Sequence, residues 1–212
     1  MVEIKNIYSL NLKAIPIKIY KTSFSLSDEF INKLNKKGYC KQTTKQGTKG
    51  ALVSNNTHVF KDKFLEPVKK FIDNISNTYA KDALGITNKL IRVNDWISLC
   101  TKGRSHHEHR HPNCLFSVVF YARIKSGALT FYIDRSAIEE SFYFEYDIKK
   151  YNEHNSSQWT IQPQQGDVVI FPGDLRHGTT PNEHDENRIV FGANYFLTGK
   201  VGNEPYSTYV IK

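Results

Sequence analysis

Cysteine and methionine are scarce here, with three of the first and one of the second in 212 positions. Cys40, Cys100 and Cys114 cannot complete a set of disulfides, and none has Cys-x-x-Cys spacing. That excludes a disulfide scaffold and a zinc knuckle, and a reducing, cytoplasmic setting is expected. No apolar run approaches bilayer thickness, and the first 21 residues lack the continuous apolar core of a secretory signal, so no membrane partner is expected. Disorder is equally poorly supported, because 39% of residues are hydrophobic and 13% aromatic. Thirteen Phe and twelve Tyr against the single Met favour a sheet-rich core over a helical bundle.

Acidic charge is scarce only in the first third. Residues 1–70 carry 14 Lys against 5 Asp and Glu, whereas the remainder carries 15 basic and 16 acidic groups. The formal net charge of +8 therefore belongs to the N-terminal third. Lys33, Lys36 and Lys37 fit the solvated face of a helix better than a phosphate track.

Alternation of Ile15, Ile17 and Ile19 with polar residues predicts a strand within 1–22, kept near a sheet edge by Pro16. Ser27-Asp28-Glu29 predicts a helix start, Phe30, Ile31 and Leu34 its apolar face, and Gly38 its stop. Residues 41–58 predict a loop or weak hairpin able to act as a flap. Val68, Phe71, Ile72, Ile75 and Tyr79 recur at helical spacing, with Pro67 at the start. Strand-like runs follow at 90–100, 115–124, 128–133, 158–162, 167–172, 188–197 and 206–211. The acidic and aromatic segment 134–160 interrupts them as a binding rim or an edge-covering hairpin. Nothing divides the chain, so a single domain is expected: 1–89 as strand and buttressing helices, 90–212 as a β-sandwich or barrel.

Four of the eight histidines fall within six residues, His106-His107-Glu108-His109-Arg110-His111. In an extended segment His107, His109 and His111 would share one face. A His-x-His pair on a strand is a natural two-toothed metal grip that needs a third ligand from elsewhere, for which His177 is the best candidate. His106-x-Glu108 offers a literal His-x-Glu as the alternative pair.

His109-x-His111, His177, and Arg188 eleven positions later resemble the iron(II)- and 2-oxoglutarate-dependent oxygenases, and within them the small prolyl-hydroxylase-like proteins of phages and bacteria. The flanking order matches as well: Trp96-Ile97-Ser98, Lys102-Gly103, Pro112-Asn113, Ser117 to Tyr121, Gly127 to Tyr132, Gly166 to Pro172, and Asn194. The spacing of His109 from Gly103 follows that family's pattern, which favours His109 and His111 over His106 and Glu108. The resemblance implies a double-stranded β-helix (jelly-roll, cupin-like) core with N-terminal helices. It implies Fe(II) held by His109, His111 and His177, and 2-oxoglutarate anchored by Arg188 with Tyr121 assisting and Asn194 facing the site. A guanidinium fork suits the far carboxylate of such a diacid. The implied activity is hydroxylation, with a peptide or protein side chain or a small molecule as substrate. One departure stands out, since most relatives have Asp or Glu where this chain has His111. Two other readings remain: a three-histidine cupin that does not use 2-oxoglutarate, and a jelly-roll binding module without catalysis. Nucleic acid is not the expected partner, because no second arginine closely follows Arg188 as it does in nucleic-acid dealkylating relatives.

Overall fold

A computed structural model describes residues 15–43, 50–133, 147–152 and 155–210. The expected flap within 41–58 and rim within 134–160 lie in part outside the described residues (44–49, 134–146 and 153–154), as does most of the strand expected within 1–22.

The first helix, α1 (Asp28–Lys37), begins where Ser27 Oγ accepts from the Phe30 N–H, with Asp28 and Glu29 at its positive end. It ends at Gly38, whose φ of 61° suits a residue without Cβ. The second, α2 (Glu66–Asp82), carries Pro67 in its first turn, where the missing N–H costs no helical bond. Val68, Ile72, Tyr79 and Ala80 form its buried face.

Among the described residues the strands, in chain order, are β1 (Lys18–Tyr20), β2 (Cys40–Thr43), β3 (Leu52–Ser54), β4 (Lys89–Cys100), β5 (Phe116–Arg123), β6 (Leu129–Tyr132), β7 (Gln158–Ile161), β8 (Val168–Pro172), β9 (Arg176–Thr179), β10 (Arg188–Val201) and β11 (Thr208–Val210). They make an eight-stranded sheet, ordered β1-β8-β5-β10-β4-β3-β2 with β11 on β10, and a three-stranded sheet β7-β6-β9. The pairings between these strands are all antiparallel. This is the jelly roll expected from the sequence, with β1 at one edge and β2 paired to β3 at the other.

Two cores flank the large sheet, because its strands alternate faces. Phe116, Val118 and Phe120 of β5, Val168 and Ile170 of β8, and Ile189, Phe191, Ala193 and Tyr195 of β10 pack beneath α1 and α2. The intervening Val119 and Tyr121, Val169 and Phe171, and Val190 face the other way, joining Leu129, Phe131 and Leu175 of the small sheet and its approach. On β10 that inward face also carries Arg188, Gly192 and Asn194. Among the described residues no helix is long and apolar enough to cross a membrane.

Candidate metal centre

His177 lies on β9, a strand that the sequence patterning does not suggest; the expectation there is a strand end followed by a turn. The histidine-rich segment runs beside β9 without being a regular strand itself. His109 N–H donates to the His177 carbonyl at 2.9 Å and His177 N–H returns a bond of 2.9 Å, an isolated antiparallel bridge. His111 N–H is held by the Gly173 carbonyl at 2.8 Å, and Thr179 N–H by the His106 carbonyl at 3.0 Å. These ties set each backbone position separately, so strict alternation fails: His106 and His107 both stack against His109, with ring centroids 4.5 and 5.0 Å from it.

His109, His111 and His177 come together as expected, their ligand-type nitrogens all within 4.8 Å of one another. The ring of His109 is 4.4 Å from that of His177 and 4.9 Å from that of His111. His109 Nδ1 bonds the His107 carbonyl at 2.8 Å, and His177 Nδ1 the Leu175 carbonyl at 2.8 Å. A carbonyl only accepts, so in both rings Nδ1 carries the proton and Nε2 keeps its lone pair. Burial drives all three imidazoles toward the neutral form: His177 is pushed down to about 4, His111 to about 2, and His109 below its ordinary value, with the neighbouring rings adding to the effect. Neutral, converging imidazoles with second nitrogens fixed by backbone carbonyls are a donor set that fits a divalent transition metal. Among the described residues no carboxylate joins this triad. Glu108 turns away to an ion pair with Arg176, whose guanidinium lies over the Tyr132 ring, so the alternative pair His106-x-Glu108 does not assemble with His177.

Arg188 is buried, with only 2% of its surface exposed. Its Nη2 donates to Thr179 Oγ1 at 2.9 Å and its Nη1 to the Thr180 carbonyl at 3.2 Å. Among the described residues no carboxylate lies within ion-pair distance of it. A buried guanidinium without a protein anion is costly unless a ligand supplies the charge. Thr179 and His177 share a face of β9, and two strand residues span about 6.6 Å. Gly127 lets Arg188 in, since a Cβ there would come within 1.9 Å of Nη1.

Tyr121 is buried on the neighbouring strand, paired in register with Val190, and its hydroxyl is held in the protonated form by burial against the opposing pull of Arg188. Asn194 stands at the other end of the inward face of β10, beside the triad rather than beside Arg188. Its amide lies between the Ser117 hydroxyl and His111 Nδ1, the latter at 3.5 Å. Three neighbours have site roles that the sequence pattern does not assign. Thr179 accepts from Arg188, the Ser117 hydroxyl donates to Asn194 Oδ1, and Trp96 backs His111 with ring centroids 5.1 Å apart. Trp96 fits only because Gly192 opposite it has no Cβ, which would lie 2.2 Å from the indole. Each depends on a strand pairing that a linear pattern does not display.

Comparison with known proteins agrees with this fold. The solved structures similar to it include an oxidoreductase of the 2OG-Fe(II) oxygenase family from Burkholderia pseudomallei, with 12% identity, TM-score 0.58, and 87% of this chain and 86% of that one covered. A Trichoplax adhaerens prolyl hydroxylase in complex with a hypoxia inducible factor oxygen degradation domain peptide shares 13% identity at TM-score 0.58, covering 88% and 86%. HygX from Streptomyces hygroscopicus with nickel and 2-oxoglutarate bound shares 11% at TM-score 0.57, covering 90% and 88%. Likenesses at such identities establish the fold. No curated protein matches the chain in sequence. Residues 94–194, however, match the model of the family described as "Putative 2OG-Fe(II) oxygenase". That stretch runs from β4 to β10 and contains every residue of the triad together with Arg188, so this part of the chain is a domain of the iron(II)- and 2-oxoglutarate-dependent oxygenase family.

Proposed function

We propose that the chain hydroxylates a peptide or protein side chain, with His109, His111 and His177 holding Fe(II) and Arg188 anchoring 2-oxoglutarate. On this reading the chain is one functional unit, in which 90–212 carry the catalytic jelly roll and 1–89 buttress its large sheet. The observation that carries the assignment is Arg188: buried, without a protein anion among the described residues, and resting on the strand that bears His177. A three-histidine cupin without a diacid co-substrate gives that guanidinium no role.

When bound, the metal and co-substrate supply the oxidising chemistry, in which O₂ and 2-oxoglutarate give succinate, CO₂ and a hydroxylated substrate. The chain's own contribution is orientation and charge. The Arg188 fork offers a charge-assisted pair of bonds to the far carboxylate and stays protonated in a dry pocket. Thr179 Oγ1 accepts from both Arg188 Nη2 and the His106 N–H, at 2.9 and 2.8 Å. With both lone pairs taken, its own proton is free for the same carboxylate. The protonated Tyr121 hydroxyl is a second neutral donor. At the metal end, Asn194 turned to offer its oxygen to a His111 Nδ1–H would leave Nε2 of His111 as a ligand, matching the other two rings. The peptide substrate class takes its support from the prolyl-hydroxylase neighbour, which carries a peptide in its structure.

Purified chain with Fe(II) and O₂ tests the reading. Consumption of 2-oxoglutarate with stoichiometric succinate is expected, rising when a peptide substrate is supplied. Oxygen chemistry that proceeds equally without 2-oxoglutarate would favour the cupin reading.

A further inference from the structure

Beside the triad lies a second group of imidazoles. His106, His107 and His109 also bring their ligand-type nitrogens within 4.8 Å of one another. Their rings are stacked rather than splayed, with centroids 4.5 to 5.5 Å apart and planes inclined by 14 to 29°. Stacked cations would repel, so these rings sit together as neutral groups, and a cation, which lies in the plane of each imidazole that binds it, would be seated by turning the rings about their Cβ–Cγ bonds. His106 adds an independent sign, because its Nδ1 is buried without a hydrogen-bond partner. A buried polar nitrogen with nothing to bond is costly, and a cation is one group that would complete it. The backbone around it is firmly held: His106 N–H donates to Thr179 Oγ1 at 2.8 Å and its carbonyl accepts from Thr179 N–H at 3.0 Å.

We propose that His106, His107 and His109 form a second, outer seat for a divalent transition metal, which shares His109 with the inner triad. The sharing has a chemical consequence. His109 Nδ1 is committed to the His107 carbonyl, so the ring has one lone pair left and binds one cation at a time. A cation in the outer seat thereby withdraws His109 from His111 and His177. The two seats exclude each other, and an excess of a strongly imidazole-binding metal such as Zn(II) competes with loading of the inner one. The exclusion rests on the inner site proposed above, whereas the outer seat does not.

Zn(II) calorimetry on the full chain, two double variants and one triple variant tests this, with circular dichroism reporting the fold of each. Wild type should bind one cation per chain. His111→Asn with His177→Asn should still bind one, at least tenfold more weakly, and lose it when His106→Asn is added. His106→Asn with His107→Asn should bind one cation with affinity within about threefold of wild type. A folded inner variant that binds no zinc would overturn the outer seat, and two cations per wild-type chain would overturn the exclusion. If only the outer variant fails to bind, the inner reading falls and the outer seat stands. Histidine side-chain NMR of the single variant His177→Asn supplies an independent readout. Zinc should shift the His106 and His107 rings, and shifts confined to His109 and His111 would contradict the proposal.

Discussion

The guanidinium of Arg188 rests on the hydroxyl of Thr179, donating to it at 2.9 Å, and Thr179 stands two residues along β9 from His177. One strand thus carries a candidate metal ligand and the seat of a buried cation on the same face. The spacing matches a short diacid that chelates at one end and is clamped at the other.

Removing the clamp should separate co-substrate binding from metal binding. Arg188→Ala is expected to weaken 2-oxoglutarate binding ten- to a hundredfold, given about 1.5–3 kcal/mol for hydrogen bonds to charged groups. Zn(II) affinity should change little. Arg188→Lys, which keeps the charge but loses the fork, should fall between. Calorimetric titration with 2-oxoglutarate at fixed metal concentration checks this.

Gly127→Ala should imitate the arginine variants without touching the ligand. Its new methyl would meet Arg188 Nη1 at 1.9 Å, and the φ of 98° at this position disfavours any side chain. A stability loss of about 1–3 kcal/mol is expected from the overpacking. It should be accompanied by weaker 2-oxoglutarate binding, read from denaturant melts and titrations on the same sample.

Much of this is legible in the sequence, and the exceptions share a cause. Ser27 and Gly38 announce α1 because caps are local chemistry, and the period of Val68, Ile72 and Tyr79 announces α2. His109, His111, His177 and Arg188 are recognisable from residue type and order. Strand β9 is hidden because Arg-His-Gly-Thr is four residues long and follows a tight turn centred on Gly173 and Asp174, leaving no alternation to read. Thr179 goes unnoticed because its partner arrives from another sheet. The stacking of His106 and His107 on one side is unpredictable from period two, since the segment takes its shape from bonds to β9 and Gly173 rather than from strand geometry.

The position of His111 invites exchange for the carboxylate that the family resemblance implies there. His111→Asp restores a negative charge next to the metal, so tighter Fe(II) binding and retained 2-oxoglutarate turnover are expected. His111→Ala should lower metal affinity at least tenfold. Binding titrations of the two variants in parallel distinguish loss of a ligand from loss of packing against Trp96.

Acid should destabilise the metal-free protein through its buried imidazoles. Burial holds His177 down at about 4, His106 at about 3 and His111 at about 2, whereas an unfolded histidine titrates near about 6.5. Between those values the unfolded chain binds protons that the folded chain does not, so stability rises with pH. The contribution is fully present above about pH 6.5 and is lost progressively as pH falls, down to about 4 for His177, about 3 for His106 and about 2 for His111. Thermal melts of metal-free protein at pH 7.5, 6 and 5 should show a falling Tm, less steep in His177→Asn.

The most direct test is an anaerobic titration of the metal-free chain with Fe(II) and then 2-oxoglutarate, followed by visible absorption. A metal-to-ligand charge-transfer band should grow to one equivalent, be lost in His177→Asn, and require far more 2-oxoglutarate in Arg188→Ala. A folded wild-type chain that binds Fe(II) yet develops no band at any 2-oxoglutarate concentration would contradict the account.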